Sequence, residues 1–249
     1  MSVSRRRVEA IIRKELREYR RNRFIIYTMA LLPVVFLIVP IAELFRVPSS
    51  APASVVRVAV GATLLEMLII PVVVPATIAA YSVIGERDQG TLEPVLTTPI
   101  RREEFLLGKA LAAISPSVGI AYTIFAIFVV SLRLGASSAV VAAVWQAPQF
   151  LAQGLFAPLL AGWSIWVGMA ISARSTDVRV AQQLGTLASL PALGLTSLMS
   201  FRVIEPSVGL AVALAVALIV VNIVAWRVVS AMFDRERLVT GGGYGSHGG

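Results

Sequence analysis

The chain contains no cysteine and a single histidine, His247. Without thiols there is no disulfide framework, no thiol nucleophile and no thiolate metal site. His247 sits in the glycine-rich tail GGGYGSHGG after Thr240, which is expected to be solvated and disordered. No histidine therefore stands within an apolar run, where a membrane-embedded serine nucleophile would need its base. Asp88, Asp177 and Asp234 all fall outside the long apolar runs, which excludes a pair of intramembrane aspartates. Gly85–Thr91 has the glycine spacing of a phosphate loop but lacks the lysine that contacts phosphate. The polar remainder is also too small for a nucleotide-binding domain. We find no catalytic constellation and no metal site.

Charge is scarce too. Charged residues make up 14% of the 249, and 57% are hydrophobic, with a mean hydropathy of +0.82. A soluble domain carries about 25% charged residues. The shift points to a polytopic membrane protein, because soluble chains do not hold several apolar runs of about 20 residues. Six such runs are expected to span: Phe24–Phe45, Ala59–Ile84, Ala110–Leu132, Phe150–Ser172, Val180–Phe201 and Val208–Trp226. Prolines fall inside the first five: Pro33 and Pro40, Pro71 and Pro75, Pro116, Pro158, and Pro191. Ala139–Trp145 is too short to span and is expected at the outer surface. The fold class is an all-α integral membrane protein, with an N-terminal amphipathic surface helix and six transmembrane helices. Residues 1–23 form the elbow helix, 24–229 the six-helix transmembrane domain, and 230–249 a largely disordered tail.

The net charge of +8 would suggest nucleic acid in a soluble protein. Its distribution gives a different answer. With the N-terminus inside, 18 of the 22 Lys and Arg fall in cytoplasmic segments. The outer segments keep only Arg46, Arg57, Arg133 and Arg202. Basic residues favour the cytoplasmic side, so both termini are expected inside and the charge is a topology signal.

Half of those 18 lie in residues 4–23. There Val8, Ile11, Ile12, Leu16 and Tyr19 make one stripe at helical period, and Arg or Lys occupy much of the rest. Such a helix is expected to lie on the membrane surface, drawn to anionic lipids. Within the spans polar groups are few. Glu66 is expected roughly two turns into the second span from its outer end, either as a contact in a translocation path or as a structural carboxylate, protonated or paired with Arg57. Glu43 with Arg46, and Arg202 with Glu205, read as surface ion pairs. Asn222 reads as an interhelical hydrogen bond. Trp145, Trp163, Trp166 and Trp226 read mostly as an interfacial belt.

The one long polar insertion is the 25-residue loop Gly85–Lys109. Gly90 allows the preceding helix to break. Thr91 can cap a short helix that tolerates Pro94 in its first turn. Thr98-Pro99 repeats the pattern, a capping hydroxyl before proline at the first helical position. Glu103 and Glu104 then suit the positive end of the next helix dipole. A short stiff helix held across a membrane loop is suited to receiving force from another protein.

The order Glu86, Gly90-Thr91-Leu92-Glu93, Leu96, Thr98-Pro99-Ile100 and Gly108-Lys109 resembles the first cytoplasmic loop of ABC-2 type transporter permeases, the membrane subunits of ATP-driven ABC exporters. The number and order of spans extend the likeness more weakly over the whole chain. The resemblance implies that Thr91–Thr97 is a coupling helix docking in a groove of the ATP-binding subunit. Glu86, Gly90, Thr91, Leu92, Glu93, Leu96, Pro99 and Arg101 would be the coupling residues, with Leu92 and Leu96 on one face. It implies two permease subunits, a homodimer or heterodimer, above two copies of an ABC ATP-binding subunit that holds ATP and Mg. It further implies a multi-pass protein of the cell membrane, exporting a drug, lipid or other small substrate. No cofactor and no nucleic acid is expected on this chain. Two other classes remain open: a stand-alone secondary transporter or channel, and a non-transporting membrane scaffold.

Overall fold

The computed structural model describes residues 4–88, 101–175, 177–200 and 207–232, and all regular structure among them is helical. In chain order the helices are α1 (Arg5–Tyr19), α2 (Arg23–Phe45), α3 (Ala53–Met67), α4 (Ile70–Asp88), α5 (Arg102–Gly135), α6 (Ser138–Val144), α7 (Ala147–Ser172), α8 (Val178–Leu187), α9 (Leu190–Ser200) and α10 (Val208–Met232). Five stretches are long and apolar enough to cross a membrane: Ile25–Phe45, Ala53–Ala80, Glu103–Gly135, Pro148–Ser172 and Val208–Met232.

Several expected boundaries move. The second run begins at Ala53 rather than Ala59, so Arg57 lies inside a helix. It is also interrupted at Leu68–Ile69. The fifth run is interrupted in the same way, into α8 and α9, with Leu187 and Leu190 on either side of the gap. Neither half of it alone is long enough to cross. The physical reason is the same in both. Proline has no N–H, and its ring collides with the carbonyl four residues back. Four residues before Pro71 is Met67, the last residue of α3; four before Pro191 is Leu187, the last of α8. Ala139–Trp145 is largely the short helix α6, which packs on α3.

α7 is the post of the bundle. It packs on α4, α5, α8, α9 and α10. Its inward side buries Phe156, Leu160, Ile165 and Met169. α4 meets it closely: a Cβ on Gly168 would lie 2.5 Å from that of Ala79, so only glycine permits the approach. Asn222 on α10 donates from Nδ2 to the Leu159 carbonyl at 2.9 Å, the interhelical bond its position suggests. Exposure sorts the rest. The apolar window of α2 is 18% buried and that of α10 28%, against 61% for α3–α4, so α2 and α10 are the spans least covered by the rest of the chain. Ile38 on α2 and Val220 on α10 are both more than half exposed.

The tryptophans depart from a simple belt. Trp166 is buried and meets Trp226 edge-on at 5.0 Å, and Trp163 donates to the Ala188 carbonyl at 3.3 Å. Trp145 lies under the Arg133 guanidinium at 4.1 Å. The expected Glu43–Arg46 ion pair is not formed among the described residues, whereas Arg202 and Glu205 lie outside them.

Candidate functional site

The loop is framed by α4, which ends at Asp88, and α5, which begins at Arg102. Glu86 lies in the last turn of α4. Gly90, Thr91, Leu92, Glu93, Leu96 and Pro99 lie outside the described residues, so the expected short helix is not placed. Arg101 is placed, and it corrects the expected cap. The N-cap of α5 is Arg101, with extended backbone (φ −76°, ψ 146°), three residues beyond Thr98. The reason is Glu104. Its Oε2 accepts the Arg101 N–H at 3.1 Å, which satisfies an N-terminal donor from inside the helix.

Glu104 does more than close its own helix. Its Oε1 accepts the backbone N–H of Ser4 at 2.8 Å, and its Oε2 accepts Arg7 Nη1 at 3.2 Å. The N-terminal helix α1 is thereby tied to the first turn of α5. Five residues further along α5 a second tie follows. Lys109 Nζ donates to Glu15 Oε1 at 3.0 Å, with both side chains almost fully buried (1% and 2% exposed). Tyr19 donates its hydroxyl to Glu15 Oε2 at 3.3 Å, and Lys14 Nζ approaches Glu15 Oε1 at 3.3 Å. The Lys109 ammonium also stands 5.1 Å from the centre of the Phe105 ring. Burial pushes the Glu15 carboxyl up, but Lys109 and Lys14 outweigh it, and the group sits below the ordinary carboxylate range.

Between the two ties the helices touch. A Cβ on Gly108 would come within 2.6 Å of Ile11 Cγ2, so glycine is required for α1 to seat. The loop-motif pair Gly108-Lys109 thus has a local meaning: Gly108 clears room for α1, and Lys109 anchors it.

This seating changes the reading of α1. Ile11 and Tyr19 are buried in the core cluster, and Ile12 and Leu16 pack against it. Much of the apolar stripe is therefore covered by protein. The opposite face keeps its basic residues: Arg13, Arg17, Arg20 and Arg21, with Leu16, line an open groove of about 530 Å³. The sequence did hold a signal for the missed anchor. Glu15 stands four residues from both Ile11 and Tyr19, inside the apolar stripe, where a carboxylate needs a cation.

α5 is 34 residues long, about 51 Å at 1.5 Å per residue, well beyond a hydrocarbon core of about 30 Å. Its first turns can therefore stand clear of the bilayer with α1 attached.

Glu66 is the fourteenth residue of the interrupted run α3–α4, which goes on to Asp88. It is half-buried in the last turn of α3, with no ion pair to Arg57 among the described residues. The other buried polar groups nearby are neutral and satisfied. Gln153 Nε2 donates to the Leu64 carbonyl at 2.6 Å, Ser172 Oγ to Ala80 O at 2.9 Å, and Gln182 Nε2 to Thr77 Oγ1 at 2.9 Å. Ser164 donates to the Val72 carbonyl. Among the described residues no group of three or more His, Cys, Asp or Glu could hold a metal ion.

An all-helical bundle with five membrane-length apolar stretches, and a basic helix strapped to the root of a long loop-flanking helix, defines a multi-pass membrane protein. Its apolar helices fit a membrane transport component. The family model of the ABC-2 family transporter proteins matches residues 9–236, and the chain belongs to that family. Proteins of this family generally work with an ATP-binding subunit. No curated protein matches the chain.

Proposed function

We propose that this chain is the membrane-spanning permease subunit of an ABC exporter, forming the translocation path and coupled through loop 85–109 to a separate ATP-binding subunit that holds ATP and Mg. The observation that carries this reading is the double tie of α1 to the start of α5. Two ion-paired anchors five residues apart on α5, with a glycine contact between them, tie α1 into one stiff body with the helix that leaves the loop. Force applied to the loop then reaches α1 and α5 together. α4, which enters the loop, passes directly into the middle of the bundle against α7.

In this reading Thr91–Thr97 docks in the ATP-binding subunit. Leu92 and Leu96 make the apolar contact, and Glu86, Glu93 and Arg101 ring it. Gly90 and Pro99 set the corners. Two permeases and two ATP-binding subunits form the working complex. Six passes are completed when α8 and α9 cross together as one interrupted helix. Both termini are cytoplasmic, as the basic residues favour. The Arg-lined face of α1 then meets the anionic leaflet of the cell membrane, an attraction of about 1 kcal/mol per basic residue. The substrate is a drug, lipid or other small molecule, and Glu66 contributes a polar contact in the outer half of the path.

The test is co-purification. Replacing Leu92 and Leu96 by Asp places charge in the apolar contact. The double variant should fold and insert but lose the ATP-binding subunit and the transport it drives. Retained binding and retained nucleotide-dependent activity would overturn the assignment of the loop.

A further inference from the structure

The interruptions at Leu68–Ile69 and Ala188–Ser189 match residue for residue. Each helix ends four residues before a proline, skips two residues, and resumes with that proline as its second residue. The two interrupted runs also lie side by side and antiparallel. α4 packs on α8, and α3 packs on α9. Gln182 bonds Thr77, and a Cβ on Gly185 would lie 3.8 Å from that of Ala76. Following that register, residues 188–189 come within about one turn of 68–69. The breaks stand at one level in the bundle.

At each break α7 donates to a backbone carbonyl. The Leu68 N–H has turned to Leu65 O at 3.0 Å, which leaves Leu64 O to Gln153 Nε2. At the other break the Ala188 N–H still bonds Leu184 O at 2.8 Å, Pro191 supplies no N–H to Leu187 O, and the next carbonyl, Ala188 O, accepts from Trp163 Nε1. Polar side chains and neighbouring helices of this kind are what make a proline break tolerable in hydrocarbon. Pro33, Pro40, Pro75, Pro116 and Pro158 all lie inside helices that continue through them. The two matched prolines are different in kind from those five.

We propose that the two breaks form a single hinge layer across the bundle, about which α3 and α9 move together relative to α4 and α8, with α7 as the fixed post. α4 runs from this layer into the loop, so the half that receives force is separated from the far half by the hinge. Glu66 stands in the last turn before it. The proposal gives the coupling reading above a mechanical route, but its test needs no partner subunit. If the ATP-binding subunit fails to bind the loop, that reading falls while this measurement stands.

The sequence has no cysteine, so spin labels can be placed in the full chain without removing native thiols. One labelled pair spans the far half, Val58→Cys on α3 with Val212→Cys on α10. A control pair spans the loop-side half, Val180→Cys on α8 with Val228→Cys on α10. All four positions are exposed. Distance distributions are measured by double electron–electron resonance on the full chain alone in lipid nanodiscs. The far pair should be broader than the control pair. Pro191→Ala lies in α9, not α3, yet it should narrow the far pair to the width of the control. Trp163→Phe releases the Ala188 carbonyl and should broaden it. Equal widths in the unsubstituted chain would overturn the proposal. So would a far pair that responds to Pro71→Ala but not to Pro191→Ala or Trp163→Phe, since the breaks would then be two independent kinks.

Discussion

Two junctions hold this molecule together, and they use opposite chemistry. At the root of the loop, α1 is fixed to α5 by ionised groups: Arg7 with Glu104, and Lys109 with Glu15. At the centre, α7 is fixed to its neighbours by neutral donors on carbonyls: Gln153 on Leu64, Ser164 on Val72, Trp163 on Ala188. The difference follows depth. An ion pair survives burial only where its geometry is good and further partners satisfy its remaining atoms. Glu15 has Tyr19 and Lys14 besides Lys109. In hydrocarbon the cheaper solution is a neutral side chain on a carbonyl that a helix break has left open. The charged junction is therefore suited to staying rigid, since separating its partners strands a buried charge. The neutral junction can exchange partners at lower cost, which suits it to motion.

The sharpest way to break this contrast is Lys109→Met. It leaves the Glu15 carboxylate buried, with Lys14 as its remaining cation, and should destabilise the α1–α5 junction by about 3 kcal/mol. The readout is the thermal midpoint of the purified full chain and the protease resistance of residues 5–19. Adding Glu15→Gln to that variant should restore most of the loss. A single variant as stable as the parent would show that the pair contributes little. A smaller effect is expected at the post. Gln153→Leu leaves the Leu64 carbonyl unbonded and should cost about 1 kcal/mol in the same assay, in the range of hydrogen bonds within membranes. If it costs more than Lys109→Met, the ranking of the two junctions is wrong.

The smallest effect is the response to acid. The Glu15 carboxyl is held below its ordinary value, so its ionised form stabilises the fold above the ordinary carboxylate range of about 4.3. That contribution is lost as pH falls through the lowered value. Amide exchange of α1 should be flat from neutral pH down to about 5 after correction for intrinsic rates, then rise in acid. Glu15→Gln should flatten part of that acid limb. An unchanged limb would assign it to Glu104 and other carboxylates.

Much of the architecture was legible beforehand because it is governed by apolar run length. α2 and α10 begin within a residue of their expected starts, and α7 ends at the expected Ser172. The two breaks were not legible. Seven prolines sit in the apolar runs, and their sequence positions alone do not separate the two that interrupt a helix from the five that do not. What sets Pro71 and Pro191 apart is a tertiary fact: their two interrupted runs pack side by side, α4 on α8 and α3 on α9. The Glu15–Lys109 pair escaped for a related reason. Its partners are 94 residues apart, and helical period shows only that Glu15 lies in an apolar stripe. The cap of α5 was misplaced because Thr98-Pro99 is a good local start, whereas the helix follows a glutamate that also binds α1.

The central claim is that loop 85–109 meets an ATP-binding subunit on the cytoplasmic side. The most direct measurement places one cysteine at Leu92 in this cysteine-free chain and asks what it touches in native membranes. The account predicts a cross-link to the ATP-binding subunit that co-purifies with the chain, and no labelling by a membrane-impermeant maleimide added outside. Labelling from outside, with no cross-linked partner, would contradict it.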